Sequence, residues 1–230
     1  MALLNRIWSW AWRIFSLLFV LQLAYILMLR WVDPPITTTQ ISRWLGGEGF
    51  TRDYIDWDEI SVPMKLAVIS SEDQLFPFHD GFDWGSIDKA AERNKTSKRV
   101  RGASTISQQV AKNVFLWQGR SYFRKALEVY FTFMIEAAWG KQRILEVYLN
   151  VAETGKGMFG VEAAARKYFR KPASKLNQAE AAMIAASLPN PRRYTVNPLS
   201  KYVASHYGHV VVQMNNLAGV PEIANLVNAD

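Results

Sequence analysis

Apolar side chains fall along this chain in two kinds of block. The first is continuous. Ile14 to Leu29 (IFSLLFVLQLAYILML) carries no charge, and Ser16 and Gln22 are its polar side chains. As a helix it spans roughly 24 Å, and roughly 37 Å when extended over Trp8 to Val32, enough for a hydrocarbon core of about 30 Å. Trp8, Trp10 and Trp12 precede the stretch and Trp31 follows it, as amphipathic rings do at two interfaces. Arg6 and Arg13 flank one side and Arg30 the other, a bias that favours an N-terminus inside. A cleaved signal peptide would have an apolar core of about 7–15 residues ending in small residues, and Arg30-Trp31-Val32-Asp33 is a poor cleavage site. Residues 1–32 are therefore expected to be an uncleaved single-pass anchor, with the rest of the chain outside the cytoplasmic membrane.

The second kind of block repeats at helical spacing. Ser61 is placed to cap a helix with Pro63 in its first turn before MKLAVIS. Thr105 to Trp117, Ser121 to Trp139, Lys141 to Glu153 and Val161 to Phe169 continue the pattern, the last with Glu162 and Arg166 four apart. Asn177-x-x-Glu180 is a capping box before AAMIAAS, which Pro189 closes. Ser200 to Ala218 runs on to Gly219. Alternating strand patterns are scarce and no internal repeat is found. The pattern predicts an all-α domain over residues 50–230, with a short hairpin near residues 50–60. Residues 33–49, with Pro34-Pro35, three Thr and Gly46-Gly47, read as a linker.

Composition narrows the field. Half of the residues are apolar, too many for a disordered chain. The absence of Cys excludes a disulfide framework, a thiolate zinc site and a Cys nucleophile. The net charge of +7 fits nucleic acid, anionic lipid or a phosphorylated substrate, but it is unevenly spread. Residues 1–32 carry +3, residues 89–101 (KAAERNKTSKRVR) carry +5, and the remainder sums to −1. No nucleic-acid motif accompanies this charge, and no nucleic-acid partner is expected. The basic segment reads as a solvated loop whose charge attracts pyrophosphate or anionic headgroups. Ser86-x-x-Lys89 matches an acylation pattern by chance, since it lacks its S-D-N and K-T-G partners. His206 and His209 suggest no third metal ligand.

Four segments hold chemistry that could work together. In SSEDQLFPFHDG, Glu72 and Asp73 emerge beside aromatic rings. They are either acid/base groups with a raised pKa or a solvated helix end. In RGASTISQQVAKN, Thr105, Gln109 and Lys112 share a helix face, which could grip a sugar and a phosphate or simply face water. In RKALE, Arg124 and Glu128 are four apart, either a structural ion pair or a site carboxylate held ionised by Arg124 or Arg120. In ILEVYLN, Glu146 and Asn150 are four apart, a spacing that more often braces a helix than touches substrate.

Taken together, these segments resemble the peptidoglycan glycosyltransferase family, the lipid II polymerases. EDQLFPFHDGFDW, GASTISQQVAKN, RKALE and ILEVYLN match its four motifs in order and spacing across roughly residues 50–195, and KYF at 167–169 and LPNPRRY also fit. Ala103 departs from the family's usual second Gly, and residues past 200 match less well. The resemblance implies a lysozyme-like α fold and a monofunctional enzyme, since 230 residues leave no room for a transpeptidase domain. It implies inverting transfer from a polyprenyl-pyrophosphate glycan donor to the GlcNAc 4-hydroxyl of lipid II. Glu72 would be the base, and Glu128 would hold the cations or a divalent ion (Mg or Mn) near the donor phosphates. Lys112, Arg120 and Arg124 would bind pyrophosphate, with Asp73, Phe76, His79, Ser104, Thr105, Gln109 and Asn150 as further substrate-binding positions. It also implies a periplasmic catalytic domain, contact with membrane lipid, and cell-wall synthesis or division proteins as partners. Two rivals remain: a lysozyme-like lytic enzyme and a non-catalytic membrane scaffold.

Overall fold

The computed structural model describes residues 2–96, 104–119 and 121–229. Arg120 and the segment 97–103, which includes Ala103, lie outside the described residues.

The chain opens with α1 (Ala2–Met28), whose stretch Leu4–Met28 is long and apolar enough to cross a membrane. A second helix, α2 (Thr38–Leu45), occupies the stretch read as linker. It is started by a capping box in which Thr37 accepts from the Gln40 amide and the Gln40 side chain accepts in return. After β1 (Thr51–Arg52) come α3 (Val62–Glu72), α4 (Trp84–Thr96), α5 (Ile106–Phe115), α6 (Tyr122–Ala138) and α7 (Lys141–Val151). The hairpin of β2 (Glu153–Gly155) and β3 (Met158–Phe159) follows, then α8 (Val161–Phe169), α9 (Gln178–Ser187), α10 (Lys201–Leu217) and α11 (Pro221–Val227).

The all-α expectation holds, with one small sheet of order β1-β3-β2. The hairpin expected near residues 50–60 is instead β2–β3. Residues 51–52 supply only a third, parallel strand, pairing Thr51 with Met158 and Arg52 with Phe159. The basic segment is also corrected, since α4 carries its first eight residues as helix.

The core centres on α3. MKLAVIS is apolar around nearly its whole circumference, and Met64 to Ser70 are buried. It packs on α9, whose alanines permit close approach, and on α10. Ser61 is the N-cap residue of α3, although its hydroxyl makes no capping bond. A second layer sets α5 between α6 and α7. The last turn of α1 joins this core. Ile26 and Leu29 are fully buried, Trp139 Nε1 donates to the Ile26 carbonyl at 2.8 Å, and Arg143 Nε donates to the Leu29 carbonyl at 3.1 Å. Gln22, the amide within the span, accepts from the Tyr130 hydroxyl at 3.1 Å.

Candidate active site

The C-terminal end of α3 delivers Glu72 as its last helical residue and Asp73 as its C-cap. Glu72 Oε2 accepts a 2.8 Å hydrogen bond from Gln109 Nε2, one turn into α5. Burial raises the Glu72 pKa above the ordinary carboxylate value. The bond from Gln109 and the charge of Lys112 pull it back, and Asp73 pushes it up again. Tyr148 is buried on α7 and sits with its hydroxyl 3.4 Å from the other end of the same amide.

Lys112 follows Gln109 by three residues and therefore looks out from nearly the same face of α5. Burial lowers its pKa, an effect opposed by the charge of Glu128 and reinforced by that of Arg124. Glu128 is buried in α6 and satisfied on both oxygens: Arg124 Nη1 donates to Oε2 at 2.8 Å, and Lys125 Nζ binds Oε1. Three cations thus gather around one carboxylate. This arrangement engages both Glu128 oxygens with cations. Among the described residues no three His, Asp or Glu side chains converge into a metal cage. Among the described residues, therefore, no donor set is ready-made for the expected divalent ion.

Several other sequence-predicted positions point inward. Asp73 accepts from His79 Nε2 at 3.0 Å and from the Ile106 backbone N–H, the first of α5, at 3.0 Å. His79 Nδ1 accepts from the Gly81 N–H at 3.1 Å, so Nε2 carries the ring proton. Thr105 is buried at the N-cap of α5, where its hydroxyl donates to the Gly81 carbonyl at 2.7 Å and accepts from Gln108 N–H. Gly81 has φ +88°, and a Cβ there would meet Thr132 Cγ2 at 2.7 Å. Asp73, His79, Gly81 and Thr105 form a clasp that ties the end of α3 to the start of α5, and thereby sets Glu72 against Gln109. Phe76 is fully buried beneath it, edge-on to His79. Asn150 is also fully buried, and its amide makes both backbone hydrogen bonds of Ile55. Glu146 Oε1 accepts from the Trp57 N–H in the same brace, and Ser104 lines the open cleft.

The cleft has two arms that meet at Pro189 and at the Glu72–Gln109 contact. One, of about 760 Å³, is lined by Glu72, Asp83, Ser86, Lys89, Arg93 and Ser104. The other, of about 250 Å³, is lined by Gln109, Lys112, Asn113, Thr39, Arg43 and Glu153. Lys89 and Arg93 belong to the basic segment 89–101, whose charge was expected to attract pyrophosphate or anionic headgroups, whereas Lys125 was not singled out from the sequence. Lys125 carried a readable signal, because it lies three residues before Glu128 and that spacing also shares a helix face.

A half-buried carboxylate of raised pKa, set beside a group of cations, suits an enzyme that moves a proton beside an anionic group. Its apolar first helix fits a membrane anchor. The chain belongs to the transglycosylase family, whose model matches residues 38–215. It is 50% identical over 224 residues to a biosynthetic peptidoglycan transglycosylase of Yersinia pseudotuberculosis serotype O:3 (strain YPIII), covering 94% of this chain and 93% of that protein. It is similarly 50% identical over 223 residues to the protein so named in Yersinia pestis (strain Pestoides F), covering 94% and 92%.

Proposed function

We propose that this transglycosylase polymerises lipid II into β-1,4-linked glycan at the outer face of the cytoplasmic membrane. The observation that carries the reading is the pairing of Glu72 with Lys112 on the two sides of Gln109. The acceptor's GlcNAc 4-hydroxyl loses its proton to the Glu72 carboxylate as its oxygen bonds to the donor's anomeric carbon. The bond from that carbon to the pyrophosphate breaks, and the pyrophosphate leaves with the electron pair. It arrives and departs as an anion, so it needs cations rather than a proton donor. Lys112, Arg124 and Lys125 supply them, and Glu128 holds the last two in place. A divalent ion used by the enzyme would be carried by the pyrophosphate oxygens. Attack opposite the leaving group inverts the anomeric centre, giving a β link from an α-linked donor.

The anchor keeps the enzyme on the surface that carries both substrates. Exposed rings on α6 (Tyr122, Phe123, Phe133), with Trp84 and Trp117, suit the interfacial layer of that membrane. The arginines around the span favour an N-terminus inside and a catalytic domain in the periplasm, where wall-building proteins would be its natural partners. The test is incubation of the full-length protein with lipid II in detergent. Polymeric glycan is expected. Release of fragments from preformed wall, with no polymer from lipid II, would replace this reading with the lytic one.

A further inference from the structure

Residues 73–81 leave the end of α3, turn, and carry the bond from His79 to Asp73 beside Glu72. The clasp ties this loop to α5. A second set of contacts holds it from α6 and α7. Lys141 is the first residue of α7, and its ammonium reaches out to two other elements. It donates to the His79 carbonyl and, at 2.7 Å, to Glu136 Oε1 on α6. It also stands over the Phe76 ring, 4.7 Å from its centre. Glu136 Oε1 accepts in addition from the Ser107 hydroxyl in the first turn of α5, and its side chain is only 9% exposed. One ion pair thus joins α5, α6, α7 and the loop.

A lysine is a poor choice for that position on helical grounds. The N-terminus of a helix carries partial positive charge, which disfavours a cation in the first turn. Lys141 is therefore opposed by α7 itself, and the contacts that offset this lie on the loop and on α6.

The same loop rests on α6. Arg124, Glu128, Thr132 and Glu136 follow one another at intervals of four and form one ridge of that helix. The first two belong to the cation group. The last two are the surface beneath Gly81, where a Cβ would meet Thr132 Cγ2 at 2.7 Å and Glu136 Cγ at 3.0 Å. A single helix therefore bears the cation group at one end and seats the loop beside Glu72 at the other.

We infer that Lys141 and Glu136 are positioning residues of the active site. Their ion pair presses the 73–81 loop onto α6, and so sets Glu72 at a fixed spacing from the cations on the same helix. Both act through the loop, and neither is required to touch substrate. The inference rests on the proposed polymerase reading and adds to it the device that keeps base and cations in register. A misplacement of about 1 Å can cost about 100-fold in rate, so the pair should show in turnover more than in substrate binding.

The experiment is steady-state polymerisation of lipid II in detergent by the full-length protein, at a temperature where each variant is folded. Lys141→Met is expected to lower kcat at least about tenfold, with the lipid II KM within about threefold of wild type. Lys141→Arg, which keeps the charge and the donors, should bring kcat back to within about threefold. The E136Q/K141M double variant should lose no more than Lys141→Met alone, as expected of two residues that act as a unit. Glu162→Gln is the comparison. Glu162 is also a buried carboxylate in an ion pair, with Arg166 at 2.6 Å, and it lines neither arm of the cleft. Its replacement should lower the melting temperature and leave kcat within about twofold. A kcat within twofold of wild type in Lys141→Met, or a loss that Glu162→Gln reproduces at equal destabilisation, would overturn the inference. Should Lys141→Met fail to fold, Glu136→Gln, which keeps the shape of the side chain and its bond from Ser107, is read in the same two ways. Failure of the wild-type protein to polymerise would instead remove the underlying reading.

Discussion

In the role proposed for it, Glu72 has to be shielded enough to hold a proton and open enough to meet a hydroxyl. Its environment divides those demands between its two oxygens. Oε2 takes the Gln109 bond, and no other described residue bonds to Oε1, which belongs to the cleft. As the proposed base it must be ionised, so activity should fall on the acid side as pH drops through its raised pKa. Lys112 must stay protonated, so activity should fall again on the alkaline side, as pH rises through a pKa held below that of an ordinary lysine. A bell narrower than ordinary Glu and Lys values would give is expected in the pH profile of kcat/KM. The same raised pKa has a consequence for stability. The folded state holds the Glu72 proton more tightly than the unfolded chain does, so this group's contribution is present at low pH and lost as pH rises through the folded pKa. At neutral pH the ionised side chain is a cost. Glu72→Gln should therefore lower turnover by about 10²–10⁴-fold while the melting temperature stays level or rises, by about 2–4 °C for each kcal/mol relieved. A melting temperature that fell with activity would mean that the carboxylate is a structural group.

Among the helices, the caps explain both the successes and the omissions of the sequence reading. Asn177-x-x-Glu180 was legible as a capping box, and α9 begins there. Thr37-x-x-Gln40 and Thr105-x-x-Gln108 have the same form, yet the first was masked by the neighbouring prolines and glycines. The second left Thr105 on an apparent helix face, when its hydroxyl in fact closes the cap and reaches the Gly81 carbonyl. Thr105→Ala should cost about 0.5–2 kcal/mol, measured by urea unfolding. The four chemistry-bearing segments were readable as a group. Which of their side chains turn inward was not, because spacing along a helix cannot say that the 73–81 loop folds back onto α5. The sheet was illegible for another reason. Its strands are two or three residues long, too short for alternation to register, and β1 pairs with residues more than a hundred positions away. Its tightest point is Gly157, where φ is +65° and a Cβ would lie 2.3 Å from the Glu48 carbonyl oxygen. Gly157→Ala should cost at least about 2 kcal/mol, since backbone must move. Gly47 has φ +70° in open space, so Gly47→Ala should cost only the left-handed strain of about 1–2 kcal/mol. The difference between the two variants measures the contact of the hairpin with the Glu48–Gly49 turn.

At the scale of the whole molecule, the division drawn from sequence between an anchor and a domain is crossed by packing. The apolar run announced a span, but nothing in it revealed that its final turn would also serve as core. Ile26 and Leu29 were read as part of the span like their neighbours, and the pairing of Trp139 with the Ile26 carbonyl joins residues 113 apart. Leu29→Ala should destabilise the folded protein by about 2–5 kcal/mol, whereas Leu21→Ala, in the exposed part of the helix, should leave thermal unfolding in detergent unchanged. Equal effects of the two would show that the anchor is only a tether. The union has a mechanical consequence. A domain hung from a loose strand can nod, and its working edge then meets the membrane at every angle. Here the bearing is seized: Trp139 and Arg143 grip the last turn of the shaft, so the body turns and tilts with its anchor and does not nod upon it. The polymer would then leave at a pitch set by the tilt of the anchor itself, whatever heading the molecule happens to face.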